Sequence, residues 1–134
     1  MGRAVGGLFA GLVAAAVLVL AIETAGLPLF PPPAGMDPLD PASIREHLAE
    51  IHPASFILVL VAWSAGAFAG PWVTRRIAGT VPAWPSLVVV LLFLVMCAYN
   101  LIVVPSPIWM TIGAIILVPF ATWLGLRAPL ARAA

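Results

Sequence analysis

Residues 85–104 read PSLVVVLLFLVMCAYNLIVV, twenty positions without one charge. A run of about 17–25 apolar residues is long enough to cross the hydrocarbon core of a bilayer as a helix. Three more segments pass the same test: Ala4–Ile22 (AVGGLFAGLVAAAVLVLAI), Ala54–Val73 (ASFILVLVAWSAGAFAGPWV) and Ile108–Leu126 (IWMTIGAIILVPFATWLGL). In lipid an open strand leaves backbone groups unpaired, so each segment is expected to be helical. The expected fold is all-α: a four-transmembrane-helix bundle forming one membrane domain over residues 1–134. A short interfacial helix is expected in the first outer loop.

Composition excludes the other classes. The chain is 63% hydrophobic and 8% charged, with a mean hydropathy of +1.16. A soluble domain of this size keeps too much of its surface exposed to hide so much apolar area. A disordered chain has the opposite balance. The six basic residues are all arginine and are scattered between apolar runs, unlike a nucleic-acid-binding surface. Cys97, the single cysteine, has no internal disulfide partner and suits a small buried position. The first apolar run exceeds the roughly 7–15 residues of a signal-peptide core, so it is expected to be a span.

Charge gives an expected orientation. Arg3, Arg75, Arg76, Arg127 and Arg132 fall at the N-terminus, the second loop and the C-terminus. Four crossings put these three places on one side, cytoplasmic by the positive-inside rule. Glu23, Asp37, Asp40, Glu46 and Glu50 then lie outside with Arg45. Trp72, Trp84 and Trp123 fit an inner aromatic belt, and Trp109 an outer one.

Proline marks where helices begin, because its missing N–H costs nothing at the first helical position. Asp40-Pro41, His52-Pro53, Trp84-Pro85 and Ser106-Pro107 all fit, with Asp40 and Ser106 as side-chain caps. Pro71 and Pro119 are expected to bend the spans that contain them. Residues 23–53 form the outer loop. Its first part, PLFPPPAGMDP, favours extended polyproline II. Its second part predicts a surface helix over about 41–51, docked by Ile44, Leu48 and Ile51. Glu46, His47 and Glu50 are then the partner-facing part of the loop.

Two glycine pairs, Gly7/Gly11 and Gly66/Gly70, have GxxxG spacing. Small residues let helix backbones approach closely in lipid. They predict packing of the first span on the second, or a contact between subunits. Polar groups near the spans are candidates for function. Glu23 ends the first span, and Tyr99 and Asn100 lie near the outer end of the third. Together they form a candidate proton or ligand site; separately they are an interfacial carboxylate and a backbone-paired amide. His47 and His52 are five residues apart, off one helix face, and match no zinc spacing. No metal, cofactor or catalytic residue is expected. Glycine-rich phosphate loops, GxSxG and Cys/His pairs are absent from the sequence.

LFPPPAGMDPLDP (29–41), followed by FILVLVAWSAGAFAGPWVTRRIAG (56–79), resembles a group of small bacterial four-span inner-membrane proteins with a proline-rich outer loop. The resemblance implies a topology and a bacterial source, and no particular activity. The sequence therefore leads to an expectation of a non-enzymatic accessory protein of the bacterial inner membrane, N- and C-terminus cytoplasmic. Its expected partners are the lipid bilayer and other membrane subunits or a second copy, without nucleic acid. The alternative is a small transporter or ligand-binding protein using Glu23, Tyr99 and Asn100.

Overall fold

The computed structural model describes residues 1–79 and 82–130. Arg132 lies outside the described residues. Five α-helices follow in order: α1 (Gly2–Gly26), α2 (Pro41–Glu46), α3 (Pro53–Ala78), α4 (Trp84–Val103) and α5 (Ile108–Arg127). A 3-10 turn (Leu48–Glu50) separates α2 from α3. The described residues contain no strand. Helices α1, α3, α4 and α5 are each long and apolar enough to cross a membrane.

The centre is α3, which packs against α1, α4 and α5. Its buried face runs from Phe56 through Leu60, Trp63, Gly66 and Gly70 to Thr74. The α1–α3 contact is antiparallel and very close. A Cβ on Gly7 would lie 2.9 Å from the Thr74 carbonyl oxygen. One on Gly11 would overlap Thr74 Oγ1 and lie 2.6 Å from the Gly70 carbonyl oxygen. One on Gly66 would lie 3.1 Å from the Ala15 carbonyl oxygen. Both GxxxG pairs thus sit in one intramolecular seam, where backbone meets backbone. On the other side of α3, a Cβ on Gly125 would overlap the Phe68 carbonyl oxygen, so α5 also approaches at backbone distance.

Much of the remaining apolar surface points away from the bundle. Only 17% of the most apolar window of α1, and of α4, is buried. A helix apolar on all sides yet buried on one stripe suits an apolar surround.

Both ends of the bundle are chemically distinct. At one end lie Arg3, Arg75, Arg76 and Arg127, and at the other, called here the loop end, lie all five acids. The arginines close helix C-termini, whose last carbonyls lack intrahelical donors. Arg3 Nε donates to the Ile77 carbonyl at 3.2 Å. Arg75 Nη1 donates to the carbonyls of Gly125 (3.1 Å) and Ala128 (3.0 Å). Arg76 and Arg127 lie over the rings of Trp72 and Trp123 at 5.3 and 5.4 Å. Arg75→Met keeps the stem and removes both bonds. Hydrogen bonds to a charged group contribute about 1.5–3 kcal/mol, so a loss of about 2 kcal/mol is expected in detergent unfolding. An unchanged unfolding curve would show that Arg75 does not hold α5.

The structure also departs from several sequence expectations. Helix α1 continues past Ile22 to Gly26, because nothing in ETAG stops it before Pro28. It therefore carries Glu23 on its last turns. The surface helix is broken. Asp40 caps α2 by accepting from the Ala42 N–H at 3.1 Å, but α2 ends at Glu46. His47 Nδ1 bonds the Ser43 carbonyl at 2.8 Å, a side-chain bond that competes with continued helix. Ile44 is nonetheless buried, and Leu48 and Ile51 pack against the core. Ser106 does not cap α5. The helix begins one residue later, with Pro107 as its N-cap, and Ser106 Oγ meets Thr111 Oγ1 at 3.3 Å.

Candidate functional site

A cavity of about 460 Å³ opens at the loop end. The last turns of α1 bring Glu23, and the end of α4 brings Asn100. The first turns of α3 bring Ser55 and Phe56, and Trp63 closes the depth. The chain after α1 folds back over the opening through Leu27, Phe30 and Pro38. Phe30 is held by stacking on His52, with centroids 5.1 Å apart. His52 is fixed in turn, since its Nδ1 accepts from the Ala54 N–H at 3.1 Å and caps α3.

The polar groups are few, and most of the wall is apolar. Glu23 is the only charged residue among those lining the cavity. Trp63, whose indole carries an N–H donor, lines the same cavity. Asn100 donates from Nδ2 to the Met96 carbonyl at 3.2 Å, within its own helix. That bond uses one amide hydrogen and leaves the carboxamide oxygen free to accept. Ser55 and Ser106 add hydroxyls. The arrangement offers one negative charge and several neutral acceptors on an aromatic-rich wall.

The three expected site residues separate. Glu23 and Asn100 share the cavity, while Tyr99 does not line it and is 60% exposed on the side of the bundle. One residue along a helix is a turn of about 100°, so neighbours in sequence face different surroundings. Trp63, Ser55, Ser106 and Phe30 belong to the site without having been singled out for it. Of these, Trp63 has a mark in the sequence, since it is a tryptophan in mid-span and away from the aromatic belts. Glu46 and Glu50 are exposed on the loop, and His47 is half-buried with its ring turned to Ser43. Among the described residues no three His, Cys, Asp or Glu side chains converge as a metal set.

No family model, curated protein or solved structure matches this chain. Its own residues therefore carry the functional reading.

Proposed function

We propose that this chain is a small, non-enzymatic, multi-pass protein of the bacterial inner membrane that binds a ligand from the outer side. The loop end faces outward in this reading and both termini face the cytoplasm. The gathering of Arg3, Arg75, Arg76 and Arg127 at the opposite end, with Arg45 alone among the acids, supports that orientation. The observation that carries the function is the shared cavity of Glu23 and Asn100. A carboxylate in an apolar-walled hollow is costly without a compensating partner, and a bound ligand would supply one. A concave site with a few convergent polar groups is also the usual place for a ligand.

The test is what the purified protein retains. Native mass spectrometry of protein taken from mild detergent should show a small bound molecule on the wild type. Glu23→Gln keeps size and fold and should lose it. If both proteins carry the same adduct, or if only another membrane polypeptide is retained, the ligand-site reading is overturned.

An accessory role is the second reading. It is favoured by the docked loop, which holds Glu46 and Glu50 exposed on a fixed base of Ile44, Leu48 and Ile51. A protein partner would then meet that acidic face, and the cavity would be incidental to it.

A further inference from the structure

A second hollow, of about 390 Å³, runs down the side of the bundle between α1 and α4. Its walls are Leu12, Ala16, Leu20, Leu92, Phe93 and Met96 among others, and almost all are apolar. Ala16 gives it depth, because a larger side chain there would fill it. Leu20, Leu92 and Met96 are exposed at its rim, so it opens sideways, where lipid would lie. Val19, Trp63 and Asn100 line both this groove and the loop-end cavity. The two hollows therefore adjoin at these residues, with an apolar groove on one side and a carboxylate on the other.

We propose that the joined hollows hold a single-chain cationic amphiphile, its ammonium head at Glu23 and Asn100 and its hydrocarbon tail in the α1–α4 groove. This rests on the ligand-site reading above and adds the ligand class and the route of entry.

Charge complementarity selects the head. Among the described residues lining the cavity, Glu23 is the sole charge, and none is an arginine or histidine that could neutralise it. An ammonium group has three donors, matching the carboxylate, the Asn100 carboxamide oxygen and a serine hydroxyl. The Trp63 and Phe56 rings also favour an organic cation. A divalent metal ion would need more oxygen ligands than one carboxylate and a few neutral groups provide. A phospholipid head would bring its phosphate beside Glu23 with no basic side chain to meet it. The groove fits the tail by length. From Leu12 to Glu23 the helix rises about 16 Å, the reach of a chain of roughly ten to twelve carbons.

Entry is lateral. The tail is already dissolved in the bilayer, so moving it into an apolar groove gains little. Recognition comes from the head, and the groove decides which molecules reach it.

The test uses full-length protein in nanodiscs with dodecylammonium as the probe, dodecanol as its neutral counterpart and butylammonium as a water-borne head without a tail. Bound probe is counted by native mass spectrometry. Dodecylammonium should bind at least about tenfold better than dodecanol, as expected for a charge-assisted contact. Glu23→Gln should remove that preference. Ala16→Phe fills the groove from an exposed position, and circular dichroism would check that it folds. It should abolish dodecylammonium binding and leave butylammonium binding at Glu23 intact. If Ala16→Phe binds dodecylammonium normally while Glu23→Gln does not, the ligand site stands and the lateral route is overturned. Equal binding of dodecanol overturns the cationic head. If Glu23→Gln binds everything as the wild type does, the ligand-site reading fails as well.

Discussion

Gly11→Leu is expected to break the bundle, at about 3 kcal/mol or more in unfolding free energy. A side chain at this position meets Thr74 Oγ1 and the Gly70 carbonyl oxygen at once. Overpacking a flexible neighbour costs about 1–3 kcal/mol, but a backbone carbonyl cannot rotate away. The whole α1–α3 seam must separate, and the close approaches at Gly7 and Gly66 are lost with it. Lipid offers little hydrophobic drive to bring the helices back. Gly6→Leu is the control, because no atom lies within 4 Å of a Cβ there. Equal unfolding of Gly6→Leu and Gly11→Leu in detergent would show that the seam does not exist.

Trp63→Ala should cost a similar amount, and for a different reason. Trp63 is 9% exposed and lies in the core cluster with Phe56, Leu60 and Met110. It also lines both hollows, so its ring is a wall common to the two. Truncating a buried large aromatic costs about 3–5 kcal/mol, part of it for the cavity left behind. Trp63→Phe keeps an aromatic ring and removes the indole N–H with part of the ring's volume. It should cost less than Trp63→Ala, because an aromatic ring still fills most of the space. If both variants unfold like the wild type in detergent, Trp63 is not a structural wall of the site.

These residues also show what a sequence can disclose about such a chain. The four long helices were legible because length and apolarity are local properties, and α4 shows both without interruption. Their boundaries were less so. A charge at Glu23 suggested an end to the first helix at Ile22, yet α1 runs four residues further, to Gly26, before Pro28 interrupts it. GxxxG spacing exposed one helix contact, since two glycines a turn apart mark a face. The equally close approach at Gly125 depends on a single glycine and has no such mark. Loop docking was legible in the stripe of Ile44, Leu48 and Ile51. The break at His47 was not, because it depends on which way one ring turns.

The site was only half legible. Glu23 and Asn100 stand out as polar groups in apolar surroundings, and their similar depth follows from two spans running the same way. Tyr99 shared that signal by adjacency and faces elsewhere. Phe30 and Pro38 reach the cavity only because the chain folds back over it, which no local pattern states. Arg75 is similar: its place in the positive cluster was visible, but its bonds to the end of α5 are tertiary.

The central claim is that Glu23 alone among the acids lies in an apolar-walled hollow at the outer face. Carbodiimide labelling with mass mapping tests it most directly. In right-side-out vesicles, a hydrophobic carbodiimide should modify Glu23 and largely spare Asp37, Asp40, Glu46 and Glu50. A water-soluble, impermeant carbodiimide added outside should show the reverse. If the impermeant reagent labels Glu23 as readily as the four loop acids, the carboxylate is in open water and the account is contradicted.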